Sequence, residues 1–149
     1  MEPSFSAVWS RVTGAVPAED ELLSLRRWSQ EAAEAARYFS VLSRRTGDPA
    51  IRETLRTIHR EEEKQFRRLS SLYYLRTGER LSPASGESIP RRPLLEDLRE
   101  RYLLAQERSE AYIRASESAQ EDTKELCLTL CEEEKRHARQ LKVLVERLL

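Results

Sequence analysis

The chain has 149 residues, the size of one ordinary domain and enough to bury a core without disulfides or a structural metal. Its 26 Lys and Arg balance 26 Asp and Glu, so the formal net charge is zero, which argues against nucleic acid or an anionic membrane as the main partner. No apolar run approaches the ~18–20 residues needed to cross a bilayer, and MEPSFSAVWSRV has no signal-peptide pattern, so a soluble, cytoplasmic protein is expected.

Residues 1–18 form an N-terminal segment of separate character, with Phe5, Val8, Trp9 and Val12 at helical spacing before Gly14 and Pro17. The pattern predicts a short helix lying on the rest of the protein or on a neighbouring subunit. Beyond it, four stretches rich in Ala, Leu, Glu, Arg and Gln, at roughly 19–46, 48–76, 93–119 and 121–148, nearly lack glycine and proline, and each predicts one helix. Between the first two, Gly47 can close one helix, and Asp48 before Pro49 can cap the next, giving a tight helical hairpin. The linker 77–92 is broken by prolines and glycines. Extended at ~3.3 Å per residue, it is long enough to return along the ~42 Å of a 28-residue helix. Only Ser118 to Asp122 separates the last two helices, a weaker break. The expected fold is all-α: a four-helix bundle over 19–149, made of hairpins 19–76 and 93–149 joined by a long crossover.

The run EEEKQFRRL at Glu61–Leu69 recurs as EEEKRHARQL at Glu132–Leu141. Aligning Leu69 with Leu141 pairs Glu62 with Glu134 and Gln65 with His137, the mark of a duplicated helical hairpin. Steps of three and four along the second helix trace Ile51, Leu55, Ile58, Glu62, Gln65, Leu69 and Leu72; along the fourth they trace Cys127, Leu130, Glu134, His137, Leu141, Leu144 and Leu148. Polar residues interrupt both apolar stripes at the same level. In the first helix the stripe Trp28, Glu31, Ala35, Tyr38, Leu42 contains one charge, Glu31; in the third it runs Leu98, Tyr102, Ala105, Ser109, Tyr112.

Burying ionised carboxylates costs several kcal/mol unless something compensates them. A bound cation is one such partner. Carboxylates with imidazole suit iron or manganese, and the E-x-x-H spacing of Glu134 and His137 puts both side chains on one helical face. The competing expectation is a metal-free network in which these groups satisfy one another. His59 falls off the stripe and is expected at the surface. Tyr38, Tyr102 and Tyr112 are expected to pack in the core. Cys127 and Cys131, four apart on one helix, are expected to be reduced and buried.

Three segments, EAAEAARYF at Glu31–Phe39, REEEKQFRRL at Arg60–Leu69 and EEEKRHARQL at Glu132–Leu141, resemble the rubrerythrin-like branch of the ferritin-like di-iron carboxylate superfamily, over roughly Glu19 to Leu149. The resemblance implies that Glu31, Glu62, Glu134 and His137 are metal ligands, with Glu62 and Glu134 bridging. It also implies one or two iron ions, or manganese, and an oxidoreductase that reduces peroxide or oxygen, or a ferroxidase, with an external electron donor. A homodimer is a further expectation of that family. Gln65 stands where the pattern has a second histidine, and Ala105 where the third helix has a carboxylate; Glu107 or Glu110 could replace the latter only if that helix is rotated. The rubredoxin-like part is absent. These departures support the alternative, a ferritin-like structural or binding protein with a partial or empty metal site.

Overall fold

A computed structural model describes residues 18–83 and 86–149; the expected helix within residues 1–17 lies outside them. The described chain is all-helical, with four helices and no strands: α1 (Ala18–Arg45), α2 (Pro49–Thr77), α3 (Leu94–Ser116) and α4 (Glu121–Leu148). None of these helices is long and apolar enough to cross a membrane. α1 packs chiefly against α2, α3 chiefly against α4, and α2 also meets α4.

The helix ends follow from their residues. Asp48 caps α2, its carboxylate accepting from the backbone N–H of Ala50 at 2.9 Å and of Ile51 at 3.5 Å, and Pro49 supplies the first helical position, where no N–H is needed. Gly78 ends α2 with φ +74°, the left-handed conformation that a glycine adopts without strain. Gly47 does not take that conformation, so α1 ends at Arg45 without a glycine cap. α4 begins without a side-chain cap of its own. Glu21 of α1 serves instead, accepting from Gln120 N at 2.9 Å and from the Thr123 hydroxyl at 3.0 Å, while Arg76 of α2 binds both Glu21 and Asp122.

The crossover runs beside α1. Arg45 donates to the carbonyls of Ile89 and Pro90 at 2.6 and 3.0 Å, Arg37 donates to that of Glu87 at 2.5 Å, and Ile89 is buried.

Two apolar clusters fill the interior. One gathers Leu25, Trp28, Leu69, Tyr112, Cys127, Leu130 and Cys131; the other gathers Phe39, Leu42, Ile51, Leu55, Ile58, Leu98, Leu141 and Leu144. Both cysteines are buried thiols, as their spacing required. Along α2 and α4 the polar residues Glu62, Gln65, Glu134 and His137 fall between the two clusters and are fully buried. The stripes end differently from expectation: Tyr73 rather than Leu72 is buried at the end of α2, and Leu148 is exposed.

Candidate functional site: a buried carboxylate, imidazole and guanidinium cluster

Three of the four expected ligands meet. Glu62, Glu134 and His137 each offer an atom within 4.8 Å of the others, and all three are buried. The fourth, Glu31, is half-buried and lines a neighbouring cavity without joining the group. The repeat-related residues cross-pair. Gln65 Nε2 donates to Glu134 at 3.1 Å and to Glu133 at 3.3 Å, while His137 Nδ1 lies 3.2 Å from Glu62 and its Nε2 lies 3.2 Å from Glu61. Each copy of the motif therefore answers the acidic pair of the other.

At the centre is a residue missing from the expected stripe. Arg108 of α3 directs Nη1 to both Glu62 oxygens, at 3.1 and 2.9 Å, and to Glu134 Oε1 at 2.8 Å. Its Nη2 reaches Gln65 Oε1 at 3.1 Å and the Tyr112 hydroxyl at 3.3 Å. The last carboxylate oxygen, Glu134 Oε2, is taken by His137 Nδ1 at 2.8 Å and by Gln65. Each of the four oxygens of the two buried glutamates thus lies within 3.1 Å of a cationic nitrogen.

The third helix is phased differently from its sequence reading. Its buried face is Leu98, Arg101, Ala105, Arg108 and Tyr112, with Ser109 beside it, and Tyr102 is only half-buried. Arg101 lies over the Tyr38 ring, 3.9 Å from its centroid, which leaves Tyr38 half-buried as well. Tyr112 is the only one of the three tyrosines to be fully buried; its ring meets Trp28 edge-on at 5.2 Å. Glu107 and Glu110 are exposed, so neither supplies the carboxylate missing at Ala105. His59, expected at the surface, is half-buried, its Nδ1 2.7 Å from the Ala36 carbonyl and its Nε2 3.1 Å from Glu63.

Electrostatics follow the contacts. Burial alone would lower the His137 pKa, but Glu134, Glu61 and Glu62 outweigh it and push it up to about 11. Both ring nitrogens face carboxylates, so the ring is an imidazolium donating on both sides. Burial raises Glu62 to about 7 against the pull of Arg108. Burial acts the same way on Glu134, but Arg108 and the hydrogen bond from His137 prevail and hold it at about 2. Arg108 is opposed by burial yet raised well above its ordinary value by Glu134 and Glu62, so it stays charged.

These features test the fit of a metal. The two would-be bridging carboxylates already share a guanidinium that cannot lose its proton. With Glu31 outside the group, Gln65 in place of a histidine and Ala105 in place of a carboxylate, the residues as arranged do not fit a two-metal centre. What they form is a closed network in which Arg108 and His137 hold the two buried carboxyl groups and Gln65.

Beside the network, between α1 and α3, lies a cavity of about 300 Å³. Trp28, Ala35 and Phe39 of α1 and Leu104, Ala105 and Ala111 of α3 supply its apolar lining, and Glu62, Glu134 and His137 border it. Comparison of the chain with protein families, with curated proteins and with solved structures gives no match.

Proposed function

We propose that this chain is a ferritin-like bundle of two related hairpins that works as a binding or structural protein, with a guanidinium in the place of a metal centre. The observation that carries the reading is Arg108, whose Nη1 lies within 3.1 Å of both buried glutamates. Two carboxylates that would be costly to bury alone become tolerable when a permanently charged, planar donor lies between them. The repeat supports the hairpin origin, and the resemblance to rubrerythrin-like proteins supports a metal-binding ancestry. No oxidation or reduction step is assigned to the chain.

Metal analysis tests this directly. Protein purified from iron-fed cells is expected to carry well under one iron per chain, and added Fe(II) or Mn(II) is expected to leave its melting temperature unchanged, because an ion bound only to the folded state would raise it. About two irons per chain, with peroxide consumption that depends on them, would restore the oxidoreductase reading. A single-ion site is a second reading, favoured by the 4.8 Å convergence of Glu62, Glu134 and His137. It requires Arg108 to withdraw and His137 to lose a proton, and its signature is one ion per chain with a raised melting temperature.

A further inference from the structure

The cavity between α1 and α3 contains a buried charge whose one ion pair is long. Arg101 is 6% exposed, yet the nearest carboxylate oxygen, on Glu34, is 3.9 Å away, beyond hydrogen-bonding reach. Its other partner is the Tyr38 ring, which attracts the cation but accepts no strong hydrogen bond. Arg101 Nε is also buried without an acceptor.

Two further residues of the lining, Trp28 and Arg108, also carry an unpartnered N–H. Trp28 Nε1 and Arg108 Nε have no hydrogen-bond partner among the described residues. Buried donors are rarely left so, and Arg101, whose guanidinium has no close acceptor, makes this a space suited to something that accepts. The local charge sets its sign. Glu62 and Glu134 are answered by Arg108 and His137, and Arg27, Glu34 and Glu107 are exposed. Half-buried Glu31 keeps contact with solvent, which leaves Arg101 as the fully buried charge of this wall without a close partner. The space lies at the small end of ligand sites, and its alanine, leucine and phenylalanine walls suit hydrocarbon.

We propose that this cavity binds a small organic monocarboxylate, its charge held by Arg101 and its carbon skeleton by Ala35, Phe39, Leu104 and Ala105. Half-buried Glu31, on the same wall, selects against a second negative charge. The proposal gives the binding role inferred above its ligand class, but it rests on Arg101, whereas the metal-free reading rests on Arg108.

Titration calorimetry on the full chain with hexanoate and benzoate, each against its neutral amide, tests the assignment. Saturable binding of at least one acid is expected, roughly tenfold or more tighter than its amide, because a charge-assisted hydrogen bond to guanidinium is lost in the amide. Arg101→Met should abolish that preference, and Arg101→Lys should keep part of it. Circular dichroism verifies that both variants fold. No saturable binding of either acid, equal binding of acid and amide, or an unchanged preference in Arg101→Met would overturn the proposal; the first would mean a water-filled cavity, the second an apolar one, and the third that a different cation holds the acid. Iron loading of the wild type would remove the metal-free reading and leave this result to stand or fall alone.

Discussion

Between α2 and α4 the buried ionisable groups answer one another: an imidazolium and the guanidinium of Arg108 put a nitrogen within 3.1 Å of every oxygen of the two glutamates. Between α1 and α3, a few residues away, Arg101 is as deeply buried but has only a tyrosine ring and a distant carboxylate. Both arginines belong to one face of α3, seven residues apart. The contrast teaches that burying an arginine is not a property of the residue or of its helix. What differs is what the opposite helices bring to it.

The same substitution at the two positions should break the comparison open. Arg108→Met leaves Glu62 and Glu134 with His137 as their one shared counter-charge, and urea unfolding is expected to register a loss of about 3–5 kcal/mol. Arg101→Met removes a cation with no close anion, so it is expected to be neutral or stabilising. Equal losses at the two sites would mean that the two environments are energetically alike.

A smaller effect is expected from pH. The folded His137 pKa is raised to about 11 from its ordinary 6.5, so the folded state holds a proton that the unfolded state has released between those values. Its contribution is complete below pH 6.5 and is lost as pH rises through about 11. Stability measured by denaturant unfolding should therefore decline across that window, and His137→Gln, which copies the residue of the other repeat, should flatten the decline. Glu134 acts at the opposite end: held at about 2 in the fold, it contributes above pH 4.5, and that contribution is lost as pH falls through about 2.

The smallest change sharpens the role of Tyr112. Its hydroxyl is one of two acceptors for Arg108 Nη2, at 3.3 Å, while Gln65 is the other at 3.1 Å. Tyr112→Phe keeps the ring against Trp28 and removes one hydrogen bond, with an expected loss of about 1 kcal/mol.

The four helices were legible because glycine and proline punctuate the chain sharply; α2 and α4 fall within a residue of their expected bounds, and α3, followed by the weak break, stops at Ser116, three residues short of its expected end at 119. Glu62, Gln65, Glu134 and His137 were legible because polar residues inside an otherwise aliphatic stripe need an internal reason. Arg101 and Arg108 were not. Leu98, Ala105 and Tyr112 belong equally to a stripe through Tyr102 and Ser109 and to one through Arg101 and Arg108, and local pattern favours the less charged choice. The deciding fact is an ion pair to Glu62, 46 residues away in sequence, which no local periodicity contains.

The single guanidinium also bears on how such a molecule can come about. Were two identical halves to associate around a two-fold axis, every side chain near that axis would arrive twice, and two like charges would compete for one space. Joining the halves in a single polypeptide lifts that restriction, so one copy can place an arginine on α3 while its counterpart keeps a different residue on α1. The lone central arginine is thus something available to a fused, diverged pair and denied to a strictly symmetric one.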